Sequence, residues 1–169
     1  MLSILSDLSP FFEDCYRRIG VREYAGIAGL SPPTSSKKLS SYKALGLLKQ
    51  ENYRNYMLFF ANKGSQDFID LSRMYWRTRL MQVAVKIEGA LPSPAIVLFG
   101  SLSKAEAKKD SDIDLAVFSS GKLPDLKPME RPLKRGIQAF LFKSLAEIKN
   151  KELASNIANG YVLRGRLEV

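Results

Sequence analysis

Two parts of different class are predicted by this 169-residue chain. The N-terminal part is mainly α and closes on a β-hairpin. The C-terminal part is α/β (α+β) on a mixed sheet, and a long helix joins them. Three observations carry this expectation. Between residues 21 and 48, two helical patterns flank the turn Gly29-Leu30-Ser31-Pro32. Between residues 65 and 91, apolar side chains recur at three and four, the helical period. From Ala95 the pattern becomes that of buried strands separated by a polar excursion. The expected boundaries are 1–64, 65–91 and 92–169.

In chain order, Ser9 to Arg18 reads as a helix with Ser9 as N-cap and Pro10 at the first helical position. Val21 to Ala28 reads as a shorter helix ended by Gly29, and Leu30-Ser31-Pro32-Pro33 as a turn. Thr34 to Leu48 follows as a helix with Leu39, Tyr42, Leu45 and Leu48 on one face. Its other side carries Ser35, Lys37, Lys38, Ser41 and Lys43. Lys49 to Tyr56 and Tyr56 to Phe60 read as two strands with Asn52 to Asn55 near the tip.

Short helix, turn, basic helix and hairpin together resemble the winged helix-turn-helix domains of small prokaryotic transcription regulators. The resemblance is one of pattern, and an ordinary three-helix packing unit has the same pattern. For a DNA-binding domain the implied contacts are Thr34, Ser35, Lys37, Lys38, Ser41, Lys43 and, in the wing, Arg54. Lysines and hydroxyls of this kind mainly hold phosphates and leave sequence readout to few residues.

The long helix has Ser65 as N-cap and an apolar face through Phe68, Leu71, Tyr75, Trp76, Leu80, Val83 and Ile87. It either packs against both parts or forms a dimer seam. Gly89 and Pro92 end it, and Leu91-Pro92-Ser93-Pro94 marks the boundary.

The chemistry is densest after that boundary. Ala95 to Phe99 is a buried strand, Gly100-Ser101 a tight turn, and Asp112-Ile113-Asp114 opens the next strand, which runs through Phe118. Side chains at i and i+2 of a strand share a face, so Asp112 and Asp114 converge. Two like charges so placed are costly unless a cation lies between them. Mg²⁺ held by carboxylates and touching substrate phosphates resolves that cost. Gly100 lets backbone approach a ligand, and exposed N–H groups with the Ser101 hydroxyl suit a phosphate.

The stretch from Gly100 to Leu115 resembles the signature of the DNA polymerase β-like nucleotidyltransferase superfamily, especially its minimal nucleotidyltransferase branch. The resemblance covers residues 95–118 strongly and the rest of the C-terminal half weakly. It implies Mg²⁺ or Mn²⁺ on Asp112 and Asp114, and an NTP held by Gly100, Ser101, Lys104 and Ser111. It further implies transfer of a nucleotidyl group to a hydroxyl on protein, RNA or a small molecule. Many relatives carry Arg-Gly where this chain has Lys104-Ala105. Their third metal-binding carboxylate lies on a later strand. The matching strand here, Gly136 to Phe142, has Gln138 and no acid. Asp125 and Glu130, in a loop expected from Lys122 to Pro132, are the alternatives. Lys134 and Arg135 stand ready for a triphosphate or an acceptor nucleic acid, or are a solvated loop. A helix from Ser144 to Asn156 and a strand at Tyr161-Val162-Leu163 complete the domain.

Composition narrows the reaction. There is no histidine, which excludes Ser-His triads and imidazole ligands. The single cysteine, Cys15, excludes an intrachain disulfide and reads as a small core residue. Any metal is then held by oxygen, as Mg²⁺ and Mn²⁺ are. A net charge of +9, spread along the chain, favours phosphate-rich partners, double-stranded DNA first. The first residues lack the basic start and apolar core of a signal peptide, and no apolar run nears the ~20 residues of a membrane span. A cytoplasmic location without membrane contact is the expectation. Two rival functions remain. One is a DNA-binding regulator whose nucleotidyltransferase domain senses a nucleotide or only dimerises. The other, suggested by the resemblance alone, is an antitoxin-like partner of a toxin.

Overall fold

The computed structural model describes residues 3–167, which divide into two compact units. The first runs through Ser72 and adds Ala105–Lys109; the second comprises Arg73–Lys104 and the chain from Asp110 onward.

In the first unit, α1 (Ser3–Asp7) and α2 (Ser9–Glu13) precede a two-residue strand, β1 (Ile19–Gly20). The single helix expected from Ser9 to Arg18 is therefore corrected. Leu8 is the N-cap of α2, the Ser9 hydroxyl donates back to the Ser6 carbonyl, and the helix stops at Glu13. Next come α3 (Val21–Ala28) and α4 (Pro32–Ala44). Gly29 closes α3 in the left-handed conformation at φ +65°, as a helix-ending glycine does. Helix α4 starts two residues earlier than expected, because the Ser31 hydroxyl caps the Thr34 N–H and the two prolines fit its first turn. It also ends four residues earlier. Gly46, at φ +73°, turns the chain, so Leu48 opens a strand and Leu45 is left exposed.

Strands β2 (Leu48–Tyr53) and β3 (Tyr56–Ala61) form a hairpin around Arg54-Asn55, and β1 adds to β3 to give the order β1-β3-β2, all antiparallel. Phe11, Phe12, Tyr24, Leu39, Phe59 and Phe68 are wholly buried in this unit. Cys15 is also buried and carries a free thiol.

The long helix is broken. Helix α5 (Gln66–Arg79) and α6 (Met81–Glu88) are separated at Leu80, and the division between units falls inside α5. Ser65 does cap α5, its hydroxyl accepting from the Phe68 N–H.

The second unit is built on four strands in the order β6-β5-β4-β7. They are β4 (Ala95–Phe99), β5 (Ile113–Phe118), β6 (Ile137–Phe142) and β7 (Tyr161–Arg164). Pairing is antiparallel except between β5 and β6, so the sheet is mixed. Helix α7 (Gly100–Ser103) follows β4, and α8 (Lys127–Leu133) precedes β6. Helix α9 (Lys151–Ala158) precedes β7 and packs on β4.

Two expectations are corrected here. Part of the proline-rich loop is helix α8, since Pro128 falls in the first turn, where a missing N–H costs nothing, and Lys134 ends it left-handed. The helix from Ser144 is a 3₁₀ turn, Leu145–Glu147, followed by a fresh start at Asn150, whose side chain accepts from the Glu152 and Leu153 N–H groups. One face of the sheet buries Ala95, Val97, Phe99, Ala116 and Phe118 with Ile148 and Ile157. Ile96, Leu98, Leu115 and Val117, which alternate to the other face, are wholly buried as well.

Candidate functional site

The site forms where three strands of the second unit bring one face to a common edge. Register sets Phe99 opposite Asp114 and Asp114 beside Gln138. Asp112 lies two residues before Asp114, so strand alternation directs it to the same side. The Gln138 side-chain nitrogen donates to Asp112 Oδ2 at 2.7 Å. Gln138 thus stands at the third position that the register of β6 defines, beside both carboxylates.

Two glycines make room for the acids. Gly100 has φ +71°, and a Cβ added there would fall inside contact distance of Asp114 Oδ2 and 3.2 Å from its Cγ. At Gly136 an added Cβ would stand 2.6 Å from Asp112 Oδ1. Each carboxylate therefore lies against bare backbone, a requirement no larger residue meets. Burial, and secondarily the charge of Asp112, holds the Asp114 carboxyl above the usual carboxylate range. A cation between the two would remove that penalty.

Among the described residues no three histidine, cysteine or acidic side chains gather, so two carboxylates and an amide are the donors on offer. All are hard oxygen ligands when the amide turns its carbonyl inward. They fit a divalent cation with one charge fewer than three carboxylates supply. Asp125 and Glu130 are engaged elsewhere: Asp125 accepts from the Lys127 N–H at 3.0 Å and Glu130 from the Ile137 N–H at 3.0 Å.

The surrounding residues hold this arrangement. Arg135, 6% exposed, lays its guanidinium over Trp76 at 5.1 Å and donates to the Ser111 carbonyl at 2.5 Å. It faces inward, which corrects the expectation that it reaches for phosphate; Lys134 is exposed. The Ser103 hydroxyl donates to the Gly100 carbonyl at 2.9 Å, and Arg73 donates to the Ser103 carbonyl at 2.8 Å, fixing α7 from both ends. Lys104 is exposed and donates to Asn156 Oδ1 at 2.8 Å. Ser101 and Ser111 are half-buried. Gly136, Arg73 and Asn156 are site residues that the sequence reading does not name as such, and Arg135 has a supporting role there in place of the phosphate contact expected of it. Only Gly136, two positions before Gln138 at a strand start, carried a signal in the sequence.

In the first unit, Thr34, Lys37, Ser41 and Lys43 are exposed on α4, and Arg54 is exposed in the hairpin turn at φ +54°. Lys43 donates to the Gln50 side chain at 3.1 Å. Lys38 is tied to Asp7 at 2.7 Å, and the same Asp7 oxygen accepts from the Tyr42 hydroxyl. Ser35 is wholly buried, which removes it from any contact surface.

Comparison with known proteins agrees with this geometry. Residues 92–160 match the family model described as Polymerase beta, Nucleotidyltransferase. The match spans the turn at Gly100, both acids, Gln138 and α9. Neither the curated proteins nor the solved structures gave a match. No helix among the described residues is long and apolar enough to cross a membrane.

Proposed function

We propose that the C-terminal domain is a nucleotidyltransferase that moves a nucleotidyl group from an NTP to a hydroxyl acceptor on protein, RNA or a small molecule. We further propose that the N-terminal unit is a winged helix that docks it on double-stranded DNA. The observation that carries the first half is the placement of Asp112 and Asp114 against Gly136 and Gly100, on one face beside the Gly100-Ser101 turn. Asp112 and Asp114 would hold Mg²⁺ or Mn²⁺, and the cation when bound supplies charge neutralisation at the reacting phosphate. Gly100, Ser101 and Ser111 line the phosphate approach, and Lys104, at the end of α7, adds a positive charge. What these residues contribute is alignment and a fixed electrostatic field.

Docking through α4 is supported by the exposed Thr34, Lys37, Ser41 and Lys43 and by Arg54 at the hairpin tip. Lys38 reaches phosphate only by leaving Asp7. We place the protein in the cytoplasm, and pairing of two copies is compatible with this reading.

Calorimetric titration of the four NTPs with Mn²⁺ tests the site. Metal-dependent binding by the wild type that disappears in Asp112→Asn/Asp114→Asn is expected; heat unaffected by the double variant would refute it. Lys37→Glu with Lys43→Glu should lower duplex affinity and flatten its salt dependence.

One observation favours a second reading, a DNA-binding regulator whose transferase domain binds nucleotide without turning it over. It is the bond from Gln138 to Asp112, which puts a neutral amide where a third carboxylate would add charge. Under that reading duplex binding survives Asp112→Asn/Asp114→Asn, and no NTP is consumed.

A further inference from the structure

Strand alternation in the first unit puts Lys49, Glu51 and Tyr53 of β2 on the same face as Tyr56, Leu58 and Phe60 of β3, with cross-strand partners Lys49–Phe60 and Tyr53–Tyr56. The opposite face, through Leu48, Phe59 and Ala61, is core. The first face carries aromatic rings open to solvent: Tyr56 is 67% and Tyr53 57% exposed. The two rings are cross-strand neighbours, and contiguous exposed apolar surface of this kind marks an interaction site.

Cations accompany the rings. Arg18 lies over Phe60 at 5.0 Å and Arg54 over Tyr53 at 5.4 Å. Lys63 sits on the Tyr16 ring at 3.5 Å, with Lys108 5.7 Å from the same ring. At the Phe60 end the surface sinks into a cleft of about 340 Å³ lined by Tyr16, Arg18, Lys49, Phe60 and Lys63, with no acidic residue in its wall. Glu51 and Asp14 border the cleft and both are engaged, Glu51 by Arg18 and Asp14 by the Tyr16 N–H at 3.0 Å. At the Tyr56 end a second hollow of about 490 Å³ opens beside Met57 and Leu58.

From these observations we propose that the outer face of this sheet binds single-stranded nucleic acid, with a backbone phosphate seated in the basic cleft and bases stacked along Phe60, Tyr56 and Tyr53. Flat rings alternating with cations match a polymer that alternates flat bases with phosphates. A duplex hides its base faces in the stack and has no use for the rings, and an acidic peptide offers charge but nothing flat. Tyr56 and Phe60 are separated by roughly 13 Å along β3 at about 3.3 Å per residue, room for more than one base. The face is distinct from the α4 surface assigned to duplex DNA, since α4 packs on β2 from the core side, where Lys43 reaches Gln50, the cross-strand partner of buried Phe59.

Fluorescence anisotropy of short labelled oligo(dT) and oligo(U) with the full chain tests this. Lys49→Glu with Lys63→Glu should weaken oligonucleotide binding about tenfold or more and reduce its salt slope. Tyr56→Ala, at a position 67% exposed, should weaken it about fivefold or more. Lys37→Glu with Lys43→Glu should leave it unchanged while lowering duplex affinity, so failure here and failure of the duplex reading are separable. Oligonucleotide affinity equal in the wild type and both face variants overturns the proposal. Loss only in the α4 variant, or displacement by polyglutamate as readily as by oligonucleotide, overturns it as well.

Discussion

Replacing Gly100 by alanine perturbs the site through a single methyl group whose cost has two separable parts. The first is backbone: at φ +71° an L-residue carries a penalty of about 1–2 kcal/mol. The second is the collision. The new Cβ falls inside contact distance of Asp114 Oδ2, so the carboxylate must swing aside within a partly buried edge, a misfit of about 1–2 kcal/mol on the scale of overpacked sites. Gly100→Ala should therefore destabilise by about 2–4 kcal/mol in denaturant unfolding. In an Asp114→Ala background the carboxylate is gone and only the backbone part remains, about 1–2 kcal/mol. The coupling energy of the cycle is then about 1–2 kcal/mol, well above the ~0.5 kcal/mol scatter of independent sites. Equal costs in both backgrounds would refute the placement of Asp114 against the Gly100 backbone. A neutral Gly100→Ala would refute the left-handed turn as well. The folded fraction of Gly100→Ala should also lose metal-dependent nucleotide binding, because the displaced carboxylate no longer meets Asp112.

Three other outcomes follow from single side chains. Arg135→Met removes the donor to the Ser111 carbonyl and should cost about 2–3 kcal/mol in unfolding free energy, as for a hydrogen bond to a buried charged group; a change under ~0.5 kcal/mol would deny it a structural role. Burial, and secondarily the charge of Asp112, holds the folded-state pKa of Asp114 above the usual carboxylate range, so the folded state holds its proton more tightly and the contribution of Asp114 to stability falls as pH rises from the ordinary carboxylate value through the folded one. Asp114→Asn should accordingly gain melting temperature over the wild type as pH rises from acid to neutral, and a difference that shrinks with rising pH would contradict the sign. Arg54→Gly relieves a left-handed non-glycine turn at φ +54° and should stabilise the hairpin by about 1 kcal/mol while weakening duplex binding; thermal melts and anisotropy read the two effects apart.

Much of this was legible because local chemistry and tertiary packing agreed. The strand before Gly100, the end of α3 at Gly29 and the hairpin about Arg54-Asn55 each rest on a short-range rule that the fold then respects. The acid pair was legible for the same reason, since a period of two fixes its face without knowledge of the sheet. What failed was continuity. The run from Ser65 to Ile87 has an unbroken apolar period, yet it splits at Leu80, and nothing in a periodic pattern reports such a break. The face of α4 was assigned by drawing Leu45 and Leu48 into one stripe, but Gly46 had already turned the chain. Ser35, four residues before Leu39, shares the buried face that Leu39 and Tyr42 define, so its hydroxyl is withdrawn from solvent. Arg135 was read from charge, which favours solvent, whereas Trp76 and the Ser111 carbonyl offered it a buried seat. Supporting residues of that kind come from distant elements and leave no spacing to read.

Gln138 is where fold and chemistry pull apart. Its strand, register and side all suit a third ligand to a divalent cation, and Gly136 two residues earlier already clears space for Asp112. Two glycines lie under two carboxylates here, and burial with the charge of Asp112 disfavours the ionised form of Asp114. A cation between the two carboxylates would offset that cost. The amide argues about what happens next. By donating to Asp112 it partly offsets the repulsion that a third acid would increase, and it lowers the charge available to a second cation. That is the physical basis of the second reading, in which the site holds a nucleotide with one cation and does not turn it over. On the transferase reading proposed above, binding and turnover are separable at this site: Asp112→Asn/Asp114→Asn should abolish metal-dependent nucleotide binding, whereas Gln138→Asp should change metal affinity and turnover.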